Sequence, residues 1–256
     1  MEGIHVAISA DKITELFGVP ITNTVLMSWV VLVLLTTIAL SIRARLSLVP
    51  SKIQLLFELL FENVLQFIAE TLESRPLAIR YFPFIVTIFL FIFTANLLEF
   101  IPGVGSIGII ANEAHAAAGA SGHGSFTPLL RSMNTDLNTT LALSIISFLV
   151  IEISGIVTIG FFKYFSRFVN FHSPTMFFVG LIEFASEFIR LISFTFRLFG
   201  NIFAGEVLLA VVTFFVPFIV PVPFMAFEVF VGFMQAAIFS LLTLFFIKLA
   251  ITETAH

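Results

Sequence analysis

FTFRLFGNIFAGEVLL, residues 194 to 209, sets an arginine, an asparagine and a glutamate in a run that otherwise reads as hydrocarbon. A charge near the centre of a bilayer costs roughly 2.5 kcal/mol at the least, so Arg197 and Glu206 need a local reason to be there. With Arg197 at 0° on a helical wheel, Glu183, Ser186, Arg190, Ser193 and Asn201 all fall within about 40° of it. The resulting polar stripe is about 27 Å long at 1.5 Å per residue. Glu206 points to the opposite side and forms a second polar site.

The rest of the chain agrees that this helix belongs in lipid. Of 256 residues, 59% are hydrophobic and 11% charged, and 35 are phenylalanine. Soluble domains hold about 45–50% apolar and about 25% charged residues, so a mean hydropathy of +1.12 implies an integral membrane protein. The net charge of −4 gives no footing for nucleic acid, and with no cysteine the chain has neither disulfides nor thiolate metal sites. No phosphate-binding glycine loop, nucleophile elbow or metal-ligand cluster is present, and His115 and His123 lack a third ligand. Bond chemistry, a cofactor and a metal are therefore not expected of this chain.

Apolar runs of about 20 residues can cross a hydrocarbon core about 30 Å thick. The sequence predicts an all-α membrane protein, a single integral membrane domain over 1–256, with five transmembrane helices plus one interfacial amphipathic helix. An outside segment, 1–24, carries two glutamates and an aspartate where a signal peptide would be basic. The first crossing is 25–45, its apolar run Val25 to Ile42 ending at Arg43, Arg45 and Lys52. The stretch 51–74 puts Glu58, Glu62, Gln66, Glu70 and Glu73 within about 120° of one another, the pattern of a helix at the interface; the alternative is a crossing that hides its carboxylates in a bundle. Crossings follow at 81–101, stopped by Pro102 and Gly103, and at 137–162, separated by a polar outside loop, 103–136.

Placing Arg43, Arg45, Lys52, Lys163 and Arg167, with His172 beyond them, on the cytoplasmic side puts the amino terminus outside and the carboxyl terminus, with Lys248, inside. The segment 174–216 has no proline after Pro174 and would make a helix about 64 Å long, twice the hydrocarbon thickness. It therefore breaks near Gly200 or Gly205, or lies strongly tilted and pairs with 223–251 as a long, tilted hairpin around the turn PFIVPVP.

In an antiparallel hairpin Glu206 and Glu228 flank the same turn and can approach. Two nearby carboxylates resist ionising together, so one of them can hold and release a proton. Glu228 and Gln235 share a face, while Glu99 and Asp136, at helix ends, extend an acidic route toward the 103–136 loop. Some of these residues also have plain structural uses: Glu187, three residues before Arg190, fits an ion pair with it, Glu187 or Glu183 could neutralise Arg197, and Gly200 and Gly205 fit close helix contacts.

RLFGNIFAGE at 197–206, with Glu183 before it and MQAAIFSLLT at 234–243 after it, resembles subunit a of the F-type ATP synthases. NLLEFIP at 96–102, DLNTTLALS at 136–144 and PSKIQLLFEL at 50–59 extend the likeness along the chain. The resemblance implies a non-catalytic stator abutting the c-ring, a rotor of small subunits that each carry one carboxylate, and contacting b-type subunits of a peripheral stalk. Carried over by position, Arg197 is the arginine facing the ring. Asn201, Glu206, Glu228 and Gln235 line an outside half-channel with Glu99 at its entrance, and Glu183 and Ser186 lie in the cytoplasmic one. The chain departs from many relatives in carrying carboxylates at both 206 and 228, and Leu191 where proline is common. A bacterial plasma membrane is the expected location. A secondary transporter that binds an anionic substrate at Arg197 is the alternative; such carriers often contain internal repeats, and no second copy of the arginine motif is present.

Overall fold

Helix α1 (Asn23–Ala44) opens a sequence of helices that accounts for most of the chain. The structure, a computed structural model, describes residues 10–16, 19–47, 49–101, 104, 107–111, 125–166 and 174–252. Pro102, Gly103, His115, His123, Arg167 and His172 lie outside the described residues, as does the segment 1–9.

Seven helices are present among the described residues, and five of them are long and apolar enough to cross a membrane. These five are α1, α3 (Arg75–Leu98), α4 (Leu137–Ile159), α6 (Pro174–Phe215) and α7 (Pro221–Thr252). The all-α membrane fold read from hydropathy is the fold observed. Helix α2 (Lys52–Leu72) is the amphipathic one. Its amino terminus is capped by the Ser51 hydroxyl, which accepts from the Gln54 amide and satisfies a donor that the first turn leaves open. Its acidic residues Glu58, Glu62 and Glu70 are exposed, but Glu73 is not on the helix. Glu73 takes a left-handed conformation (φ 53°) at the carboxyl cap, its amide donating back to Ala69 and Glu70.

Several boundaries differ from the sequence reading. Helix α3 begins at Arg75, six residues before Tyr81, because Pro76 stands in the first turn, where a missing N–H costs nothing. Helix α4 stops at Ile159 and not at Phe162: Gly160 takes φ +94°, which a side chain resists, and the short helix α5 (Phe161–Ser166) follows. The bend brings the buried Tyr164 back on α4, and its hydroxyl donates to Glu152 at 2.8 Å. The segment 103–136 is not all loop. Strands β3 (Gly108–Ala111) and β4 (Ser125–Pro128) pair antiparallel, as do β1 (Lys12–Leu16) and β2 (Val19–Thr22) ahead of α1. These four- and five-residue strands are too short to leave a clear alternating signature. Finally, α6 is continuous over 42 residues, so neither Gly200 nor Gly205 breaks it.

The chain divides into two compact units. Unit 1 holds 1–36, 91–140 and 197–235; unit 2 holds 37–90, 141–196 and 236–256. Unit 1 therefore contains both strand pairs and the turn between α6 and α7. Arg43, Arg45, Lys52, Lys163 and Lys248 all belong to unit 2. The core of unit 2 is aliphatic and aromatic: Ile68, Ile88, Ile151, Phe239, Leu244 and Ile247 are buried, and Phe194 stacks on Phe239 with ring centroids 5.0 Å apart. In unit 1, Met27, Val31, Ile92, Leu198 and Ile202 are buried among polar side chains.

Candidate functional site

Helix α6 buries one narrow seam, through Gly180, Glu187, Phe194, Leu198 and Ile202 at helical spacings of seven and four, with Thr195 beside it. Arg197 is one residue off that seam, a little more than a quarter-turn round the helix, and is exposed. Ser186, Ser193 and Asn201, which share its face, are exposed too, as are the flanking Ile182, Ile189 and Phe196. Glu183 is half-buried. A broad apolar surface bearing the permanently charged Arg197 is thus turned outward. On the seam itself, Glu187 pairs with Arg190 at 2.7 Å, as their three-residue spacing suggested, and the Arg190 guanidinium lies 4.0 Å from the centre of the Phe246 ring.

Within unit 1 the remaining polar residues converge. Asn96, Glu99, Phe100, Asn201, Ile202, Glu228 and Val231 line one pocket. The Asn201 amide donates to Gln235 at 3.2 Å, joining α6 to α7 across two residues that the sequence assigned to one path. The Glu228 carboxylate packs against Gly205, one residue before Glu206 on α6. A side chain at Gly205 would collide with that carboxylate, so glycine is what lets α7 approach here. Gly200 meets nothing within 4 Å and has no such role.

Asp136 is 4% exposed and caps α4, Oδ1 accepting from the Asn138 amide while Oδ2 accepts from the hydroxyls of Thr24 and Thr139. Beside it, Asn96 donates to the Gly232 carbonyl at 3.1 Å and accepts from Asn134 at 2.6 Å, tying α3, the segment before α4, and α7 together.

Two contributors escaped the sequence reading. Asn96 carries no periodic signal of its own; it is one amide at the end of an apolar helix. Arg131 sits in the irregular stretch LLRSMNTD, where a cation reads as solvated, yet its side chain is 10% exposed and lies 3.3 Å from Glu206. Only the fold, bringing together residues 75 apart in sequence, makes that pair. Three buried polar atoms of unit 1, Asn134 Oδ1, Glu228 Oε1 and Gln235 Nε2, have no hydrogen-bond partner among the described residues. Orphans of this kind are ordinarily satisfied by internal water.

Residues 25–248 match the family model of the ATP synthase A chain. The chain is 32% identical over 234 residues to ATP synthase subunit a of Sulfurihydrogenibium sp., covering 91% of this chain and 98% of that one. It is 29% identical over 238 residues to the protein of the same name from Moorella thermoacetica, covering 92% and 94%. It is also 29% identical over 247 residues to the sodium ion specific ATP synthase subunit a of Propionigenium modestum, covering 96% and 80%. With nearly its whole length matched, the chain belongs to the ATP synthase A chain family.

Proposed function

We propose that this chain is the ion-conducting stator of a rotary ATP synthase, acting as one integral membrane domain and catalysing no bond chemistry itself. The observation that carries the reading is the exposure of Arg197 on the broad apolar face of α6. A guanidinium stays protonated at any working pH, so it attracts an arriving carboxylate without being able to relay a proton. That is the property needed in a barrier between two aqueous inlets. In this reading the face docks a ring of small subunits, each with one acidic side chain, and b-type subunits of a peripheral stalk hold the chain still.

Ions enter through unit 1, past Glu99, Glu206 and Glu228 with Asn201 and Gln235 alongside, and neutralise a ring carboxylate. They leave on the side of Glu183 and Ser186 after the ring has turned, and Arg197 prevents a short circuit. Asp136 serves by fixing the start of α4 beside this path. The pocket and the three orphaned polar atoms of unit 1 support a hydrated route there. The basic residues Arg43, Arg45, Lys52, Lys163 and Lys248 support a cytoplasmic placement of the segments that carry them, with the amino terminus outside, in a bacterial plasma membrane.

Vesicles carrying the complete complex test this. Arg197→Ala should abolish ATP-driven ion uptake while permitting passive leak through the membrane sector, and retention of coupled uptake refutes the role. Running the assay on the unmodified complex with and without sodium separates proton from sodium coupling; uptake independent of sodium is expected.

A further inference from the structure

A guanidinium that is nine-tenths hidden in a membrane protein requires an anion close by. Arg131, on the irregular segment leading into α4, has one: its Nη2 lies 3.3 Å from Oε2 of Glu206, whose side chain is 31% exposed. Other acidic groups face the same neighbourhood. Glu99, at the end of α3, and Glu228, on α7, line one pocket with Asn96 and Asn201. Asp136 is already held by Thr24, Asn138 and Thr139. The geometry thus gives the near guanidinium to Glu206. Glu228 is left with its Oε1 buried and without a hydrogen-bond partner among the described residues.

We propose that Arg131 is a positioning residue of the outer ion path, clamping Glu206 as a fixed anion so that Glu228 is the carboxylate that accepts and releases the travelling proton. Each cycle leaves both side chains unchanged: one proton arrives on Glu228 from the outer water and the same charge departs toward the ring. The clamp divides the labour of two carboxylates that would otherwise compete for one proton. It rests on the ion-path reading above.

The test uses the complete ATP synthase in vesicles, with ATP-driven proton uptake measured across pH. Arg131→Gln should lower uptake about tenfold, because Glu206 without its near cation competes with Glu228 for the proton, and should displace the pH profile. Arg131→Lys should keep the original profile and about half of the rate, because a point charge replaces a forked one. Arg131→Gln combined with Glu206→Gln should recover uptake relative to Arg131→Gln alone, since no unpaired charge remains. Uptake and pH profile unchanged in Arg131→Gln overturn the proposal, and so does a lysine variant as impaired as the glutamine one. If Arg131→Gln does not assemble, recovery of assembly in the double variant supports the clamp and continued absence overturns it. Arg197→Ala in the same vesicles separates the two levels. Coupled uptake retained there sinks the stator reading, whereas uptake lost there but normal in Arg131→Gln sinks only the clamp.

Discussion

In unit 2, Thr195, Ser240 and Thr243 are buried, and each donates its hydroxyl to the carbonyl one turn back in its own helix, at Leu191, Ala236 and Phe239. In unit 1 the buried polar groups include Asn23, Asn96, Arg131, Asn134, Asp136 and Gln235, and their bonds run between elements. A hydroxyl can be satisfied by its own helix. An amide, carboxylate or guanidinium has more donors and acceptors than one helix can serve, so it must find another element or water. Tyr164 and Glu152 make unit 2's own exception, and Ser147 Oγ and Glu152 Oε1 are its orphans among the described residues. The contrast teaches where water can be accommodated: among the described residues the buried hydroxyls Thr195, Ser240 and Thr243 of unit 2 close on their own helices, while unit 1 holds an unfinished hydrogen-bond network.

That contrast can be broken by substitution. Asn96→Leu in unit 1 strands the Asn134 amide, while the Gly232 carbonyl keeps its bond within α7. A fall in stability of about 1–3 kcal/mol, the cost of one buried unpaired group, is expected in denaturant titration of the detergent-solubilised protein. A loss below about 1 kcal/mol would show the network to be dispensable. Gly205→Ala should cost about 1–2 kcal/mol by forcing the Glu228 carboxylate aside. The added cost should vanish when Glu228→Ala is present too, and additive losses would locate the problem elsewhere. Thr243→Val in unit 2 removes a hydroxyl that serves only its own helix, so a change under about 1 kcal/mol is expected by the same titration. A loss as large as that of Asn96→Leu would erase the distinction between the units.

The smallest effect is expected outside the spans. Lys248 donates to Glu73 at 2.7 Å, and this hydrogen bond, with the lysine charge, holds the Glu73 carboxyl below its ordinary value of 4.5. A depressed carboxyl stabilises the fold above the unfolded value and loses that contribution as pH falls through the folded one. Glu73→Gln should therefore lower the melting temperature slightly at neutral pH and leave it unchanged in acid. A deficit that grew on acidification would reverse the sign and exclude the pair as its cause.

Much of this molecule was legible in the sequence because lipid imposes length and polarity. Hydropathy located all five long helices, and the spacing of Glu187 and Arg190 anticipated their ion pair. The hairpin argument brought Glu206 and Glu228 together. What escaped depends on contacts distant in sequence or on a single backbone angle: Arg131 becomes a buried cation only through Glu206, Asn96 matters only through Asn134 and Gly232, and the end of α4 is decided by φ at Gly160. Asp136, expected beside the outer path, also caps α4, a use that one carboxylate at a helix start does not reveal.

The claim on which the rest turns is that the exposed face of α6 bearing Arg197 meets a moving ring. The chain has no cysteine, so single cysteines report cleanly. Ser193→Cys and Ala204→Cys, both at exposed positions on that face, should each form a disulfide with a ring subunit carrying a cysteine beside its carboxylate, and Phe194→Cys on the buried seam should not. Cross-links at 193 and 204 that block ATP-driven rotation are the expected result. Failure of both to reach the ring in an assembled complex would contradict it.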